Sequence, residues 1–195
     1  GGILKTEVLS FRRMAYRIFN EVGGITYPHI HPAGKSMILY RILDKKRDSF
    51  RVFSKPAGRR GFVNALMDLI TEFKKYNVTP EVLEGASNDL DEENPLKDKL
   101  IELAAIFNLF EKDVSEKYRD PDDDLTLAAK KLESTSLYDG AEIWIDAFSG
   151  FTPQEYEIIG QLMKKSERVN ISFCADGLNN DASNDTDIFI PIKAA

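Results

Sequence analysis

Cysteine is almost missing from this 195-residue chain, in which Cys174 stands alone. Intramolecular disulfides, Cys-rich zinc sites and a four-cysteine iron–sulfur cluster are therefore excluded within it. A lone reduced thiol suits the cytosol. The neighbouring Ile171, Phe173 and Ala175 predict a buried strand in which Cys174 is a small hydrophobe. Long apolar runs are missing too: none approaches the roughly 18 residues of a membrane span, so no membrane partner is expected. The N-terminus has neither a signal-peptide pattern nor an initiator Met, and the chain reads as a piece of a longer protein. Histidine is scarce. His29 and His31 make half a metal site, and no nearby acidic run completes it.

Net positive charge is also missing, with 26 Lys/Arg against 32 Asp/Glu giving −6, which argues against a simple basic nucleic-acid binder. The total hides a division. Residues 1–62 carry 13 Lys/Arg against 4 Asp/Glu, or +9, and residues 63–195 carry 13 against 28, or −15. The chain is electrically polar along its length.

Hydrophobic spacing predicts a strand over residues 3–9, then a helix over 11–22 that Ser10 caps and Gly23-Gly24 ends. Helices are predicted over 35–43 and 62–76. Three more starts share one device: Thr79-Pro80, Asn94-Pro95 and Asp120-Pro121 each set a capping side chain before a proline at the first helical position. After Asn94, the residues Leu96, Leu100, Leu103, Phe107, Phe110 and Val114 form a heptad-like seam. Residues 142–147 read as a strand. Thr152-Pro153-Gln154-Glu155 spells a capping box, and 169–175 reads as a second strand. Strand, helix, strand implies a parallel pair. The tail 178–187 is rich in Asn and Asp, and Ile188-Phe189-Ile190 has the character of a short strand. Residues 1–26 and 138–176 are thus α/β, interrupted by an almost wholly helical segment 32–136.

Several motifs are incomplete. Gly34-Lys35-Ser36 matches the end of a phosphate-binding loop, but His29 stands where the first glycine is required. Asp120, Asp122 and Asp124 have calcium-loop spacing, but Leu125 and Lys131 replace the turn glycine and the bidentate glutamate. Arg12, Arg13 and Arg17 are interleaved with Phe11 and Tyr16, a mixture that suits phosphate neutralisation and base stacking on a single strand, or a solvated helix face. Asp146 ends the apolar strand Ile143-Trp144-Ile145. An aspartate there is either a Mg²⁺–nucleotide carboxylate or a turn residue, and Ala147 stands where a water-activating glutamate would follow.

The last two stretches carry a family resemblance. Ser10-Phe11-Arg12-Arg13-Met14-Ala15-Tyr16-Arg17 resembles the single-strand-contacting segment of superfamily 1 helicases. Ile145-Asp146-Ala147-Phe148-Ser149-Gly150-Phe151-Thr152-Pro153-Gln154-Glu155 resembles a degenerate version of their Walker B region. That version, together with Gly23-Gly24 and Gly34-Lys35-Ser36-Met37, is similar to the AddB family, which belongs to the bacterial AddAB ATP-dependent helicase–nucleases. The resemblance implies a bacterial, cytoplasmic DNA-handling subunit that serves double-strand-break repair and homologous recombination. It implies an AddA-like partner and a single-stranded or unwinding DNA substrate. ATP and Mg²⁺ would belong to the full-length protein, and an iron–sulfur nuclease would lie outside this chain. It further implies that 1–31 and 137–195 are part of a RecA-like helicase core (1A), with 32–136 a 1B-like helical insertion. On this reading Ser10, Phe11, Arg12, Arg13 and Arg17 contact DNA. Asp146 is a remnant nucleotide–Mg²⁺ carboxylate, and the fragment has no catalytic residue of its own. The alternative expectation is a scaffold that docks the partner, built on the Leu96 to Val114 seam.

Overall fold

The computed structural model describes residues 6–23, 26–57 and 59–173. The chain divides into two compact units, Gly1–Gly24 with Leu125–Ala195, and Ile25–Asp124.

The second unit is helical. It holds α2 (Pro32–Lys45), α3 (Arg60–Lys75), α4 (Pro80–Asn88) and α5 (Pro95–Ser115), followed by a 3-10 turn at Pro121–Asp123. The proline-bounded starts work as their chemistry requires. Thr79 accepts from the Val82 N–H, Asn94 from Leu96 and Asp120 from Asp122, each before a proline that has no N–H to lose. Asp120-Pro121 begins the 3-10 turn, and the α-helix follows only from Asp124. α2 starts earlier than its apolar spacing suggests, because the His31 ring nitrogen Nδ1 accepts from the Ala33 N–H at 3.2 Å. α5 packs on α4 and α2, and α2 on α3. Leu39, Leu43, Ile70, Ile106 and Phe110 are fully buried between them. The seam on α5 is used inside this unit: Phe107, Phe110 and Val114 belong to its core, and Phe107 stacks on Phe73 at 6.1 Å. Leu96, at the seam's start, is exposed.

The first unit is α/β. It contains α1 (Phe11–Val22), α6 (Asp124–Leu132, from its second residue), β1 (Glu142–Ile145), α7 (Pro153–Lys165) and β2 (Arg168–Ile171). β1 and β2 pair in parallel, Ile143 opposite Val169 and Ile145 opposite Ile171. This is the arrangement that a strand–helix–strand segment dictates. Both strands are shorter than their apolar runs. β1 stops at Ile145, since Ala147 takes a left-handed conformation with φ of +65°. The capping box at Thr152 and Glu155 is complete. Ile143, Ile145 and Val169 face a core that includes Ala15, Ile18 and Phe19 of α1, Leu132 of α6, and Ile158 and Leu162 of α7. Trp144, of opposite alternation, stays exposed.

Of the expected opening strand, residues 3–5 lie outside the described residues, and 6–9 belong to neither helix nor strand. Cys174, the tail 178–187 and the segment 188–190 also lie outside the described residues. Among the described residues the sheet has two strands, so the structure shows an α/β chain with a small parallel pair.

Candidate nucleic-acid interface

The motifs of the helical unit that invite a phosphate or metal reading are spent on internal ion pairs. Gly34 packs closely on Ile30: a Cβ there would meet Ile30 Cγ1 at 3.1 Å, so that side chain would have to give by a few tenths of an ångström. Lys35 is buried and pairs with Asp120 and, at 2.7 Å, with Asp122. Thr71 donates to the same Asp122 oxygen at 2.9 Å. Lys74 Nζ lies 2.6 Å from Glu111, 2.8 Å from Asp120 and 2.8 Å from Asp123. The ammonium donates to Asp120 and Asp123, and Glu111 joins them as a charge contact without a hydrogen bond. Glu111, Asp120 and Asp123 are close enough together to hold a metal ion, but the Lys74 ammonium occupies their centre. The histidines diverge. His31 caps α2, whereas His29 Nε2 lies 2.9 Å from Asp124, which also takes Arg119 at 2.6 Å.

Two ammoniums here face four carboxylates, and one of the acids keeps its proton more readily than usual. Burial, joined by Glu111 and Asp120, pushes Asp123 up to about 6 against the pull of Lys74. Asp120 is held below the ordinary range: burial opposes this, but Lys74 and Lys35 prevail. For Lys74, burial favours loss of the proton, and Asp123, Asp120 and Glu111 outweigh it, so the ammonium persists to higher pH than usual. A carboxylate raised in the folded chain binds its proton more tightly there than in the unfolded chain. The Asp123 contribution to stability therefore falls as pH rises from 3.8 to about 6 and is level above. Asp120 acts oppositely, its contribution being present above 3.8 and lost as pH falls through its depressed value. Urea midpoints measured against pH should show the first slope in the wild type and not in Asp123→Asn. An unchanged slope in that variant would refute the assignment.

The α/β unit presents a different surface. Phe11, Ala15, Ile18 and Phe19 recur at helical spacing and are buried, which turns Arg12, Arg13, Tyr16, Arg17 and Asn20 to solvent together. Ser10 fixes the start of this helix by accepting from the Arg13 N–H at 3.3 Å. The five exposed side chains, with Glu7, Val8 and Leu9, line a shallow groove. Arg17 Nη2 lies 3.6 Å from Glu7 Oε1, both side chains half-exposed. Beside this pair stands Tyr138. Its hydroxyl oxygen is buried with no hydrogen-bond partner among the described residues, and burial, then Glu7, raises its pKa while Arg17 lowers it.

Phe11 faces the other way. Its ring meets Phe148 at 5.4 Å and Phe151 at 6.1 Å, both edge-on. Phe151 also contacts Phe148, Tyr156 and Phe173. This aromatic cluster joins the start of α1 to the loop that follows Asp146. Asp146 itself is exposed at the end of β1 and accepts a hydrogen bond from the Ser172 hydroxyl. That bond, then the Ala147 N–H, lowers its pKa, so it is an anion. The parallel register places the residues after Ile145 and Ile171 side by side; the strand–helix–strand pattern implied the pairing, and the folded chain set the register that brings Ser172 to Asp146. Glu7 was not: only the folded chain sets it opposite a residue ten positions later.

The structure thus defines a mostly helical α/β chain with a basic helix face beside an aspartate-ended parallel strand. A family model described as "ADDB, N-terminal" matches residues 1–195, and the chain belongs to that family. It is 75% identical over all 195 residues to the B-type subunit of the ATP-dependent helicase/deoxyribonuclease of Acetivibrio thermocellus. It is 54% identical over 194 residues, 99% of the chain, to the protein of the same name from Ruminiclostridium cellulolyticum. With the one from Clostridium botulinum the identity is 50% over 190 residues, 97% of the chain. The chain spans only 17%, 17% and 16% of these relatives' lengths. Among the described residues no helix is long and apolar enough to cross a membrane.

Proposed function

We propose that this chain is the strand-holding part of an AddB-type protein, one that binds single-stranded or unwinding DNA along the exposed face of α1. The observation that carries this is the grouping of Arg12, Arg13, Tyr16, Arg17 and Asn20 on one solvent-facing groove. Guanidiniums neutralise phosphates, and an exposed ring offers a stacking surface for any base. Tyr16 is the aromatic that α1 exposes there, while Ser10 positions the helix from its cap. The names of the relatives support a DNA substrate. They also support a partner within a larger complex, for which an AddA-like helicase–nuclease is the proposed identity; recombinational repair in the bacterial cytoplasm is the proposed setting.

Asp146 is the proposed remnant of a nucleotide–Mg²⁺ site. The residues present supply one anionic carboxylate, and Ala147 supplies no base. This donor set does not make a nucleotide site by itself, and the chain alone is expected not to turn ATP over. A RecA-like core completed by further strands is the proposed setting for β1 and β2. The scaffold reading has less support, because Phe107, Phe110 and Val114 of the α5 seam are consumed inside the helical unit.

Reversing Arg12, Arg13 and Arg17 to Glu should weaken single-strand binding at low salt by on the order of 100-fold. It should also flatten the dependence of log K on log salt by about 2, since each lost phosphate contact removes about 0.7. Fluorescence anisotropy with a labelled single strand measures both. Binding that survives the triple reversal would sink the reading.

A further inference from the structure

We infer that Glu7 is a built-in competitor for the DNA backbone: its carboxylate occupies Arg17 in the free chain, and a phosphate must displace it to bind there. This rests on the proposed strand-binding role and concerns how that same groove is regulated. Among the described residues, Glu7 is the one acidic side chain lining the groove, beside three arginines, a tyrosine and an asparagine. It lies 3.6 Å from Arg17, at the distance of a loose ion pair. Its side chain is 54% exposed and that of Arg17 47%, so neither is locked in place by packing. A loose, half-solvated carboxylate is an exchangeable ligand for a guanidinium. It offers the same geometry that a phosphate offers, two oxygens to a planar fork, with less charge. An exposed pair of this kind is held only weakly, because water screens it. Glu7 therefore weakens binding without preventing it, and makes the groove release a strand more readily than three free arginines would.

The consequence is specific. Removing the Glu7 charge should free Arg17 and raise affinity, because a phosphate then displaces nothing to reach it. Glu7→Gln should bind a labelled oligothymidine strand about threefold more tightly than the wild type at low salt, the fold-change that an exposed pair's worth implies. Glu21→Gln lies on α1 with Arg17 but outside the groove, and reports the generic effect of losing one negative charge. Its gain should be clearly smaller. In an Arg17→Gln background, Glu7→Gln should lose most of its gain, because the competitor then has nothing to compete for. Thermal melts of each variant check that the chain stays folded, as expected for exposed sites.

A gain in Glu7→Gln that vanishes in the Arg17→Gln background supports the inference. So does binding by Glu7→Gln where the wild type binds too weakly to measure. A gain equal to that of Glu21→Gln, or one that persists without Arg17, overturns it while leaving the strand-binding role standing. No binding by either the wild type or Glu7→Gln overturns both.

Discussion

Replacing Asp120 with Ala should destabilise the chain by about 3–5 kcal/mol, the cost of leaving buried charge without its partner. Asp120 is 4% exposed and is the carboxylate shared by both buried ammoniums, one oxygen toward Lys35 and the other toward Lys74. Its removal leaves Lys74 to Glu111 and Asp123, which are partly solvated, and Lys35 to Asp122 alone. The same aspartate caps the turn that follows it, so its loss also exposes the Asp122 N–H. Breaking the exposed pair Arg41–Asp113 provides the comparison, because at 2.8 Å it looks as good on paper. That change should cost no more than about 1 kcal/mol, since both groups keep their water. Urea denaturation followed by circular dichroism measures both variants. Equal losses would show that burial does not distinguish the two pairs.

Phe11→Ala should cost about 3–5 kcal/mol, the usual range for emptying a buried phenylalanine site. The ring is 9% exposed and holds the first turn of α1 against Phe148 and Phe151. Edge-on aromatic pairs add about 0.5–1.5 kcal/mol beyond the area they bury. Phe11→Leu, which keeps most of the volume, should lose less. The variant also separates two roles for this ring. If Phe11 serves the groove by fixing α1, strand affinity and stability fall together, and both recover in part with Leu. A loss of affinity at unchanged stability would instead mean that the ring leaves its cluster to touch DNA.

These two positions show how legibility depends on distance along the chain. A helix start is a local event decided by a cap, a proline and the few residues after them. Thr79, Asn94 and Thr152 could therefore be read directly, and the folded chain uses each of them. Helical spacing on α1 likewise determined which side would be buried, and with it that Arg12, Arg13, Tyr16 and Arg17 share a face. The pairing of β1 with β2 followed from the short helical connection between them. In each case the physics lies within one element or two neighbours, and 3.6-residue or two-residue periodicity is enough.

Only the tertiary structure decided what the polar residues do. Lys35 sits in a phosphate-loop-like tripeptide, yet it meets Asp122, 87 positions away. Asp120, Asp122 and Asp124 have the spacing of a calcium loop, yet they pair with lysines and a histidine from distant segments and with the nearby Arg119. Phe11 sits among arginines in sequence and among phenylalanines in space. A charge or an aromatic ring carries no record of its partner in its own neighbourhood, because that partner is chosen by how helices pack. The sequence alone determined where the helices begin and which face of α1 is wet. Packing determined which of its charges remain free to meet another molecule.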